Sequence, residues 1–67
     1  MQVYANLLGT YVLLDNAKDK INGFTPTDFM NNHIFKYKEP HIFFTVIHDN
    51  MRYEIPYNQL ECVEPIE

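Results

Sequence analysis

Between His41 and Val63 the chain reads HIFFTVIHDNMRYEIPYNQLECV, and the order of signals in this run constrains the fold more than any other segment. Ile42, Phe44 and Val46 alternate with Phe43, Thr45 and Ile47, so both faces of an extended segment are largely apolar. That pattern predicts a central strand covered on both sides. His48-Asp49-Asn50-Met51 places turn-forming residues between two β patterns and predicts a hairpin. Arg52 to Ile55 alternates again with Tyr53 and Ile55 inward, and Pro56, which has no N–H to donate, ends that strand. Leu60 to Val63 predicts a short closing strand, terminated at Glu64-Pro65.

The N-terminal half carries weaker signals. Met1, Val3 and Ala5 alternate with Gln2, Tyr4 and Asn6, the pattern of a half-buried first strand. Leu7-Leu8 continues it and Gly9-Thr10 predicts a kink or bulge, after which Tyr11 to Leu14 runs on as β-favouring residues. Residues 15 to 33 form a long excursion between strands, the kind of segment that often carries function in a compact domain. Within it Asn22-Gly23 marks a turn, because both residues tolerate positive φ. Thr25 followed by Pro26 has the form of a helix N-cap and first helical residue. Phe29 and Met30 supply apolar contacts for at most a short helix. Ile34, Lys36 and Lys38 alternate with Phe35 and Tyr37, an edge-strand pattern closed by Glu39-Pro40.

At 67 residues there is room for one domain, spanning residues 1–67. A core this small leaves stability marginal, and small domains usually add disulfides, a metal or a second chain. The single cysteine, Cys62, excludes an intrachain disulfide and reads as a small buried thiol suited to a reducing compartment. The longest unbroken apolar stretch, Tyr11 to Leu14, is far below a membrane span, and no basic region precedes an apolar stretch at the start. The expectation is a soluble cytoplasmic protein. Nine acids against five bases give a net charge of -4, the wrong sign for nonspecific binding along duplex phosphates.

The stretch Tyr53-Glu54-Ile55-Pro56-Tyr57-Asn58-Gln59-Leu60 resembles the I-P-S-N-Y-V signature of SH3 domains. In that family a strand ends at the proline, one 3₁₀ turn follows, and the last strand begins. Ile55, Pro56 and Asn58 match, Leu60 takes the position of the valine, and Tyr57 and Gln59 replace the serine and tyrosine. The resemblance implies an all-β fold: a small SH3-like barrel of about five antiparallel strands, with a long loop and at most a short helix. The ALYDY-like segment is missing and the chain has no tryptophan. Both bear on the groove that holds a polyproline II peptide, so the resemblance implies the barrel and not a proline-peptide receptor.

The chemistry-bearing residues are sparse. His33, His41 and His48 are the candidate metal ligands, but His41 and His48 stand an odd number apart and face opposite ways on one strand. No metal site and no cofactor are expected. A nucleophilic Cys62 requires an electropositive setting, whereas its neighbours are Glu61 and, two residues on, Glu64. With only Gly9 and Gly23 there is no glycine-rich phosphate loop either, and no catalytic residues are assigned.

Five tyrosines and five phenylalanines exceed what so small a core needs, so some face outward, where tyrosine suits a protein interface. The expected function is noncatalytic binding of a protein partner, or self-association, through Tyr57, Pro56, Asn58, Tyr11 and Tyr4. A compact acidic domain without catalytic equipment also resembles small accessory or inhibitor proteins encoded by phages and other mobile elements. The alternative is a binder of single-stranded nucleic acid that uses Phe35, Lys36, Tyr37 and Lys38, where bases and aromatics interleave.

Overall fold

The computed structural model describes residues 1–64. The first strand, β1 (Gln2–Leu7), follows its alternation: Val3, Ala5 and Leu7 are buried, and Gln2, Tyr4 and Asn6 lie on the other face. Leu8 and Gly9 both have positive φ, 53° and 88°, which is the signature of a two-residue reversal. The Asn6 Oδ1 accepts the Gly9 N–H at 2.9 Å and closes it. The chain therefore does not kink at Gly9. It doubles back into β2 (Thr10–Leu13), which pairs antiparallel with β1.

The excursion after Leu14 is more ordered than its composition suggests. It makes a turn over Asp15 to Asp19 and then a two-residue strand, β3 (Lys20–Ile21), which no sequence pattern marks. Asn22 and Gly23, at φ 50° and 86°, reverse the chain again, with Ile21 and Phe24 exchanging backbone hydrogen bonds of 2.9 Å. The expected helix forms as α1 (Pro26–Asn32): the Thr25 hydroxyl accepts the Asp28 N–H and Pro26 opens the first turn. Ile34–Tyr37, read above as an edge strand, is instead a 3₁₀ turn. Its apolar residues at 34 and 37 satisfy the three-residue repeat of that helix, which puts Ile34 and Tyr37 on one side.

Then come β4 (Phe43–His48) and β5 (Met51–Pro56), joined through Asp49 and Asn50 at φ 51° and 63°, the expected hairpin. A 3₁₀ turn over Tyr57–Gln59 leads into β6 (Leu60–Val63), which returns antiparallel to β1. Pro65, expected to end that strand, lies outside the described residues.

Among the described residues six strands thus form two three-stranded antiparallel sheets, ordered β2-β1-β6 and β3-β4-β5, with one short helix. The fold is mainly β. No helix among these residues is long and apolar enough to cross a membrane. The buried apolar side chains come from both sheets, α1 and the connections: Val3, Ala5 and Leu7 with Ile21, Phe44, Val46, Ile55 and Phe29, joined by Leu14 and Ile34. Phe29 packs its ring 5.2 Å from that of Phe44 and 5.4 Å from that of Tyr37, and Tyr37 meets Phe44 edge-on at 5.9 Å.

Two expectations about burial are corrected. β4 is central in its sheet but covered on one face only. Phe44 and Val46 are buried against the core, while Phe43 is 56% exposed on the outer face. Cys62 is exposed rather than buried. It stands opposite Val3, but β6 is an edge strand with no neighbour on its other side, so nothing covers the thiol there.

Candidate binding surface

The outward face of the sheet β2-β1-β6 gathers residues that lie far apart in the chain. Strand alternation aims Gln2, Tyr4 and Asn6 of β1 away from the core, with Tyr11 and Leu13 of β2 and Glu61 and Val63 of β6 on the same side. Tyr4 stands opposite Leu13 on one flank and opposite Glu61 on the other. Tyr11, one step along β2, lies diagonally over Tyr4, with ring centroids 5.3 Å apart and planes only 5° from parallel. The Tyr11 hydroxyl reaches past β1 and donates to the Glu61 Oε2. One side chain thus spans all three strands. Tyr11 and Leu13 are about half exposed, and Val63 continues the apolar surface beside Gln2.

The second group of expected binding residues sits elsewhere. Pro56 ends β5 opposite Phe43, and Asn58 is exposed on the following turn. Tyr57 is half buried and packs against the core, so its ring builds the turn as much as it faces solvent. The structure therefore brings Tyr4 and Tyr11 into contact and leaves Pro56, Tyr57 and Asn58 on the connection into β6.

The four residues of the nucleic-acid alternative divide. Phe35 is 63% exposed, with the Lys36 ammonium 5.7 Å from its ring centre, and Lys38 is exposed at the end of the same turn. Tyr37 instead turns inward onto Phe29 and Phe44 and is not presented to a base.

Two of the three histidines are occupied with neighbours, and His41 is exposed. His33 stacks on Phe24 at 3.8 Å and its Nε2 lies 3.6 Å from Asp28. His48 Nδ1 is 3.0 Å from the buried Asp19 carboxylate, and its Nε2 is 3.5 Å from Asp49. Among the described residues no three histidines, cysteines or carboxylates converge as a metal site would need, and no pocket opens.

Sequence reasoning missed Glu61, Leu13 and Val63 as parts of one face. The alternation within each strand was legible, but their convergence depends on β6 pairing with β1 across almost the whole chain. Comparison with family models, with curated proteins and with solved structures found no match.

Proposed function

We propose that this protein is a noncatalytic binding module whose contact surface for a protein partner is the outward face of β2-β1-β6. The observation that carries the reading is the Tyr4–Tyr11 stack, held on a sheet face with Leu13 and Val63 exposed around it. Rigid tyrosine rings give a large contact area at small entropic cost, and their hydroxyls stay hydrated in the free protein. A sheet face that is apolar and aromatic on the solvent side needs an explanation that the domain's own core does not supply. Pro56, Tyr57 and Asn58 belong to the same proposal as an adjoining rim, since their turn feeds directly into β6.

The SH3-like barrel belongs here as well. Three features support it: the β4–β5 hairpin, the 3₁₀ turn that follows Pro56, and the return of β6 alongside β1.

The second reading is single-stranded nucleic-acid binding at Phe35, Lys36 and Lys38, favoured by the exposed Phe35 ring with the Lys36 ammonium over it. Tagged protein used for affinity capture from host lysate, with and without nuclease, separates the two. On the first reading a protein is retained after nuclease, is lost with Tyr4→Ser plus Tyr11→Ser, and is kept with Lys36→Glu plus Lys38→Glu. The reverse pattern, with capture abolished by nuclease and by the lysine changes, would establish the second.

A further inference from the structure

Resting on the protein-binding reading, we infer that the occupant of the β2-β1-β6 face is a positively charged protein segment, with an arginine side chain lying over the Tyr11 ring and against Glu61. Charge distribution is the first support. All five basic side chains, Lys18, Lys20, Lys36, Lys38 and Arg52, lie outside these three strands. The face has one charged member, Glu61, beside its aromatic centre, and Glu64, 71% exposed, follows at the end of β6. Glu64 is paired with the Met1 ammonium at 3.9 Å, so a basic segment approaching here meets no basic side chain on the sheet and finds in Glu61 a carboxylate with no cationic partner among the described residues.

The second support is the geometry at Tyr11. One side of the ring is covered by Tyr4 in a parallel stack, yet the residue remains 52% exposed, so area on the opposite side is open to a planar cation. Guanidinium groups stack on tyrosine faces and at the same time direct their N–H donors outward, in their own plane, to a neighbouring carboxylate. Glu61 is positioned for that second contact. Its Oε2 already accepts from Tyr11, which fixes the carboxylate beside the ring and leaves Oε1 to accept from the partner. An acidic partner would instead place its charge against Glu61, where the sheet carries no basic side chain and the Met1 ammonium is already paired with Glu64.

Fluorescence anisotropy with two labelled peptides tests this: one built of Arg-Gly-Ser repeats, the other a neutral Gln-Gly-Ser counterpart, both at low salt. The arginine peptide should bind and the neutral one should not. Glu61→Gln keeps an oxygen for the Tyr11 hydroxyl but removes the charge, and should weaken binding about three- to fivefold, as should Tyr11→Ser. Glu54→Gln makes the same charge change on the other sheet and should leave affinity within about twofold.

Equal loss with Glu54→Gln, or equal binding of the neutral peptide, would overturn the inference by showing general attraction to an acidic chain. A dimer in sedimentation that Tyr11→Ser disperses would overturn it too, by naming a second copy as the occupant. If neither peptide binds while lysate capture still depends on Tyr4 and Tyr11, the basic occupant is wrong and the module reading stands. Capture indifferent to both tyrosines removes that reading itself.

Discussion

His48 Nδ1 lies 3.0 Å from the carboxylate of Asp19, which is only 2% exposed, and the contact joins the end of β4 to the turn that precedes β3. The two groups are within hydrogen-bond distance of each other across 29 residues of chain. The same Asp19 oxygen accepts the Asp15 N–H at 2.7 Å. Asp19 therefore holds a stretch of chain with little apolar material of its own. Asp19→Ala leaves that amide without its acceptor and the imidazole without its partner, and should cost about 1–3 kcal/mol in urea unfolding. A change below about 0.5 kcal/mol would show the contact to be incidental.

Phe29 is fully buried and its ring packs against those of both Phe44 and Tyr37, so it is a central contact of α1 with the β3-β4-β5 sheet, alongside the buried Pro26. Phe29→Ala should lose about 3–5 kcal/mol, enough to unfold much of a domain this small at ambient temperature. Phe29→Leu, which keeps most of the volume, should remain folded. Thermal melts by circular dichroism separate the two.

Leu8 occupies a left-handed conformation at φ 53° while its side chain is 91% exposed. It carries the backbone cost of that region with little burial to offset it. Leu8→Asn creates the Asn-Gly pair that two-residue hairpin turns favour, and should stabilise the fold by about 0.5–1 kcal/mol. Gly9→Ala, at φ 88°, should instead destabilise by about 1 kcal/mol. Paired urea titrations read both signs.

Tyr11→Phe removes the hydroxyl that reaches Glu61 but keeps the ring on Tyr4. Stability should fall by less than about 1 kcal/mol, because this bond is solvent-exposed. Binding of the partner should survive with little loss, whereas Tyr11→Ser, which deletes the stacked ring, should weaken it about three- to fivefold. Equal retention of the partner by both variants would detach the ring from recognition.

What could be read from the sequence follows the length of each signal. Val3, Ala5 and Leu7 declare β1 by alternation, Thr25-Pro26 declares the start of α1, and Asp49-Asn50 declares the second hairpin, because each is a local preference satisfied locally. Gly9 misled because a glycine inside an apolar run suits a bulge and a reversal equally well. Only the positive φ adopted by Leu8 as well decides for the reversal. The stretch from Ile34 to Lys38 is short enough to fit a two-residue or a three-residue repeat, and packing of Ile34 and Tyr37 onto the core selected the latter. β3 has two residues and no period to detect. Tyr4 and Tyr11 were named individually, but their contact with each other and with Glu61 arises from strand register, which no short motif encodes.

The most direct test of the binding face places a photo-crosslinking phenylalanine analogue at one position at a time in living cells: at 11, 13 and 63 on the proposed face, at 36 beside Phe35, and at 49 in the β4–β5 turn. The account predicts discrete protein adducts from 11, 13 and 63 and none from 49. Adducts confined to 36, or adducts to nucleic acid alone, would contradict it.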